Sequence, residues 1–229
     1  MLGVAFAGLA VAWPFVAEWL VVRFGVRALA AALFGVGALS LLGARGALPA
    51  ELALGRLDVA GMAALVALAL ASGQRVFLLL VPAWVFVALA RIFAASLRGG
   101  GSVIERVAFL MQPYAPDFIR PYCRGVTLFW AATFAANALA IAALALFAPL
   151  AWWRSYTGWI EWLGLVVLSL AEFAVRKAHF RNYDDGPIDL LFERFFPADR
   201  SEMGRRASAY KGAMRRSLGR PERGRPSAR

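Results

Sequence analysis

"VTLFWAATFAANALAIAALALFA", residues 126–148, runs for 23 positions without an ionisable side chain. A helix of about 20 predominantly apolar residues crosses the hydrocarbon core of a bilayer, so this stretch predicts a membrane-spanning helix. With no water to satisfy them, backbone N–H and C=O groups in lipid must pair within the segment, which a helix does and an isolated strand does not. Working outward, similar runs lie at roughly 2–22, 28–44, 57–73, 76–97 and 159–175. Arg23 to Arg27 separate the first pair and "SGQR" the third and fourth runs, so each of these pairs is expected to close as a tight antiparallel hairpin.

The whole composition agrees. Of 229 residues, 61% are hydrophobic and 17% charged, too few polar groups to cover a water-soluble fold. The expected fold class is an all-α polytopic membrane protein with about six transmembrane helices and short amphipathic cytoplasmic helices. Residues 1–175 are expected to hold the six-helix bundle, 176–197 a juxtamembrane segment with a docking helix, and 198–229 a basic, disordered tail. The start, "MLGVAFAGLAVAWPF", lacks the positive region of a signal peptide and reads as a retained first helix. No segment left over is long enough for a sizeable soluble catalytic domain.

The formal net charge of +11 invites a nucleic-acid reading. Its distribution argues for a membrane surface instead: 14 of the 25 Lys and Arg residues lie beyond residue 175, where cytoplasmic anchoring and anionic headgroups account for them. Sorted by loop in the six-span arrangement, one face carries 21 basic residues and the other four, Arg23, Arg27, Arg75 and Arg154. The positive-inside rule then places both termini in the cytoplasm. The lone Cys123 excludes an internal disulfide, and no paired Cys/His spacing predicts zinc. No cofactor motif is present either.

Ionisable and amide side chains inside the runs are the natural functional candidates. Glu172 precedes Arg176 by four residues and is expected to pair with it. Asp58 and Glu161 fall in expected first turns, where the helix dipole favours a negative charge, and Arg91 is expected to snorkel to the interface. Glu18, one turn after Pro14 with Arg23 as its nearby sequence partner, and Asn137, near the centre of residues 126–148, are the candidate intramembrane polar residues, expected first as hydrogen-bonding ties between helices and otherwise as a proton or substrate site. Alanines at four-residue intervals, Ala132, Ala136 and Ala140, and Ala63, Ala67 and Ala71, predict close helix contact along those rows.

Between the fourth and fifth runs, Ser102 and Glu105 have the spacing of a capping box, which predicts a helix near 102–112. Val103, Ile104, Val107, Ala108 and Met111 form its apolar face. The segment "SVIERVAFLMQPYAPDFIRPYCRGVTLFWAATFAAN", residues 102–137, resembles a family of small bacterial inner-membrane proteins encoded beside ketosynthase clusters for aryl polyene or xanthomonadin-type pigments. The resemblance rests on Ile104 and Arg106 in the amphipathic helix, the Pro116 turn, Tyr122 and Arg124, then Thr127 and Trp130 opening a span. It implies association with cytosolic biosynthetic enzymes and supplies no catalytic residues.

After the last run comes "RNYDDGPIDLLFERFFP", residues 181–197. Gly186 and Pro187 interrupt the carboxylates, so Asp185 is expected to cap a helix whose first turn holds Pro187 and Asp189. Ile188, Leu191, Phe192, Phe195 and Phe196 then recur at helical spacing and form the candidate docking face, with Asp189, Glu193 and Arg194 away from it. His179, Asp184 and Asp185 are the candidate chemical site of an alternative reading, an interfacial lipid-modifying enzyme. The sequence contains no hydrolase triad, P-loop, dinucleotide fingerprint or kinase signature. The expected function is therefore a non-catalytic membrane subunit or scaffold for lipid or aryl-polyene assembly, with a small-molecule or lipid transporter using Glu18 and Asn137 as the other alternative.

Overall fold

The computed structural model describes residue 19 and residues 21–32, 56–112, 115–181 and 186–217. Among these residues all regular structure is helical. The chain divides into two compact units, residues 1–164 and 165–229. The runs expected at 2–22 and 28–44 lie largely outside the described residues, as does Glu18.

In the first unit, residues 26–32 pack against helix α1, Arg56–Ser72, through the buried core of Ala30, Val66 and Ala69. Two glycines make the tight connections: Gly25 has φ +85°, and Gly73, which ends α1, has φ +70°, a conformation without steric cost only for glycine. The Arg27 side chain lies beside Gly73, so the two turns share one end of the unit. Helices α2, Val76–Leu79, and α3, Val81–Ser96, follow as one nearly continuous rod. The break falls at Leu80 because Pro82 has no N–H to return to the preceding turn.

After α3 come α4, Val103–Met111, a 3-10 turn at Asp117–Ile119, and the long α5, Arg120–Phe147. The most extensive helix contact is between α3 and α5. It is built around Phe134, whose ring meets Phe86 at 5.9 Å and Phe93 edge-on at 5.2 Å. On α5 the buried positions are Cys123, Val126, Thr127, Ala131, Ala138 and Ile141. Ala132 and Ala136 are exposed, and so are Ala67 and Ala71 on α1. Ala63 and Ala140 are half-buried, so neither expected row is buried along its length; in the α3–α5 contact a mixed face with a central Phe134 receives the two aromatic rings of α3.

Helix α6, Leu150–Ser155, passes through one π-helical turn, Tyr156–Ile160, into α7, Glu161–Phe180. Val76–Ser96, Asp117–Phe147 and Leu150–Phe180 are long and apolar enough to cross a membrane, and Leu57–Ser72 is a shorter apolar helix. The last two extend well beyond the expected 126–148 and 159–175. Apolarity marks the part of a helix that suits lipid, whereas the helix itself continues through Arg120–Gly125 and through the tryptophan-rich Leu150–Ser155.

In the second unit the sequence after α7 forms α8, Pro187–Phe195, a 3-10 turn at Ala198–Arg200 and α9, Glu202–Ser217. Over Glu202–Ser217, helix α9 departs from the disorder expected of residues 198–229, of which 218–229 lie outside the described residues. Its Ala, Arg, Met and Lys residues are strong helix formers, Ser201 Oγ accepts the Gly204 N–H at 2.9 Å, and Arg206 pairs with Glu202 one turn away at 2.5 Å. Gly204 also lets the helix pack directly on the backbone of Ala198.

Candidate functional site

Three polar constructions organise the described residues. The first joins α1 to α3. Asp58 is 3% exposed and pairs with Arg91, while its carbonyl accepts the Trp84 indole N–H at 2.8 Å. Gly61 leaves the room that the Trp84 ring fills. Sequence reading gave Asp58 a dipole role and left Arg91 to snorkel; the two are partners, because antiparallel packing brings the start of α1 to the end of α3.

The second fixes α4. Ser102 Oγ accepts the Glu105 N–H at 3.3 Å, and Glu105 Oε2 accepts the Ser102 N–H at 3.4 Å. The two intervening N–H groups are met by distant side chains: Val103 donates to Ser96 Oγ at 3.1 Å and Ile104 to Thr127 Oγ1 at 3.4 Å. All four N–H groups left free at the helix start are thereby satisfied. Glu105 also holds Arg120, whose guanidinium reaches Asp117 at 2.9 Å and lies 4.9 Å over the Phe109 ring. Helix α4 is thus anchored to α3 and α5 at its start, while Val107, Leu110 and Met111 stay exposed at its far end.

The third lies within the apolar span. Asn137 donates to Thr133 O at 3.1 Å and accepts the Tyr156 hydroxyl at 2.7 Å. Glu161 is 5% exposed, and its Oε2 has no hydrogen-bond partner. The dipole role expected for Glu161 does not apply, because its N–H is already bonded to Tyr156 O across the π turn and no free helix terminus is present. That i→i+5 closure places Tyr156 and Glu161 one turn apart, and π turns of this kind recur at functional sites. Sequence reading found Asn137. It missed Tyr156, since nothing in the sequence signals a π turn.

The candidate docking segment belongs to the second unit. Lys177, near the end of α7, pairs with Asp189 at 2.5 Å, and Asp189 is 7% exposed. Arg181, at φ +49°, donates to Ala178 O at 3.3 Å and to Pro197 O at 2.7 Å. Helix α8 is therefore tied to the end of α7 from both of its own ends. The inward side carries Asp189, while Ile188, Leu191, Phe195 and Phe196 are exposed and Phe192 half-buried beside Phe196. Gly186, not Asp185, occupies the N-cap position of α8. His179 is exposed and edge-on to Phe180 at 4.9 Å. Asp184 and Asp185 lie outside the described residues, so the three-residue chemical site is not assembled among them.

No family model, curated protein or solved structure matches the chain.

Proposed function

We propose that the chain is a six-span protein of the bacterial cytoplasmic membrane with both termini in the cytoplasm, working as a non-catalytic anchor for cytosolic enzymes of lipid or aryl-polyene assembly. The observation that carries this reading is α8, which turns a carboxylate inward to Lys177 and four large apolar side chains outward. A helix facing water buries the opposite side. Its occupant is the anionic leaflet at the end of α7: the clasp to Lys177 and Arg181 keeps α8 at that level, and α9 beside it in sequence brings Arg205, Arg206, Lys211 and Arg216. With α8 seated, the basic α9 offers a surface on which cytosolic enzymes can be held, the kind of partner that the resemblance of residues 102–137 implies.

Spin labels at Leu191→Cys and Glu193→Cys, in full-length protein with Cys123→Ser, test the placement. Label 191 is expected to be quenched by lipid-soluble oxygen and label 193 by a water-soluble reagent; water accessibility at both positions overturns it. The functional arm is cofractionation of the biosynthetic enzymes with membranes, expected to be lost in Phe195→Asp at unchanged membrane abundance. A carrier function is the second reading, favoured by the buried Glu161 near the Asn137–Tyr156 hydrogen bond.

A further inference from the structure

We propose that Glu161 is an intramembrane proton-binding carboxyl, set by the π turn beside the Tyr156–Asn137 hydrogen bond. The inference is independent of the docking reading. Glu161 lies seven residues beyond Arg154, about 10 Å farther along the helix, within a stretch that holds no other charged residue from Ser155 to Ala171. A carboxylate there, nine-tenths buried and with one oxygen unpartnered, carries a desolvation cost that a bound proton removes.

Among the described residues, the helices around Glu161 supply no fixed counter-charge beside it. On its own helix the nearest ionisable groups are Tyr156 and, two turns away, Arg154. Between Gly125 and Phe147, α5 contributes none and offers Asn137 instead. The rod of α2 and α3 has only Arg91, which is held by Asp58. Tyr156 gives its hydrogen to Asn137, so the phenolic oxygen keeps lone pairs free to accept. The geometry thus favours a group that alternates between acid and carboxylate, one proton leaving to or returning from solvent at each step with no other bond made or broken. This is a proton site within the membrane unit.

The test uses the full-length protein in lipid vesicles and a hydrophobic carbodiimide, which reacts with protonated carboxyl groups in apolar surroundings. Peptide mapping is expected to place one adduct at Glu161, formed more slowly as pH rises. Glu161→Gln, which keeps the shape of the neutral acid, is expected to remove it, and Glu172→Gln to leave it unchanged. Infrared difference spectra across the same pH series provide a readout that does not depend on reagent access: a protonated-carboxyl band that titrates and is missing from Glu161→Gln is expected. Absence of that band at every pH overturns the proposal. So does a band that persists at every pH, since Glu161 would then be a fixed hydrogen-bond donor.

Discussion

At the scale of single residues, the α1–α3 clasp is the most exposed to test. Asp58→Asn leaves Arg91 without its counter-charge, but the Arg91 side chain is 47% exposed and stays partly hydrated. The expected loss is about 1 kcal/mol in detergent unfolding; Trp84→Phe, which removes a hydrogen bond and also part of the ring packed beside Gly61, should cost about 1–3 kcal/mol. Glu172→Gln breaks a one-turn pair between a 20% exposed carboxylate and the more exposed Arg176, at 3.7 Å, and should cost about 1 kcal/mol or less. Glycines give a sharper contrast. A Cβ at position 61 would overlap the Trp84 indole, whereas one at position 164 meets open space. Gly61→Ala is expected to destabilise by about 1–3 kcal/mol, and Gly164→Ala to be neutral or stabilising, both read from the same unfolding midpoints.

At the scale of elements, α4 shows what a sequence discloses and what it withholds. The Ser102 and Glu105 spacing was readable because a capping box is local: both partners lie within one turn. Ser96 and Thr127 were not, since each meets an N–H of α4 only after α3 and α5 have folded back beside it. The same holds for Asp58 with Arg91 and for Asn137 with Tyr156, whose partners are 33 and 19 residues apart. For α8 the periodicity gave the apolar face but not the inward role of Asp189, which depends on Lys177. Thr127→Val tests the nonlocal part. It keeps the volume of a fully buried side chain, removes the acceptor for Ile104 N–H, and removes the donor to Cys123 O, bonded at 2.7 Å. The expected cost is about 1–3 kcal/mol, with amide exchange accelerated at Ile104 and its neighbours in α4. Ser201→Ala should likewise fray the start of α9, at about 1 kcal/mol, seen as faster exchange at Gly204.

At the scale of the whole molecule, the question is how many times the chain crosses and which end faces the cytoplasm. Within the first unit, Arg27 lies beside Gly73, and the Trp153 indole donates to Leu79 O at 3.2 Å. Arg27, the Gly73–Arg75 turn and the Trp153–Arg154 turn therefore gather at one end. They include three of the four arginines that the loop count assigns to the sparse face. At the other end are Asp58 with Arg91, and Ser96, Glu105 and Arg120 around the start of α4. Helix α1 is the element on which the parity turns. Its 17 residues span about 25 Å, short of a core of about 30 Å, but its ends meet the two opposite ends of its neighbours, as a crossing helix must. Reporter fusions after Arg56, after Arg98 and at the C-terminus are then expected on the cytoplasmic side, with fusions at Gln74 and Arg154 on the other. If α1 were instead a re-entrant segment, positions 56 and 74 would report the same side, and a fusion at the N-terminus would report the side opposite to the C-terminus. Agreement of the two termini with a switch between 56 and 74 is the outcome that six spans require.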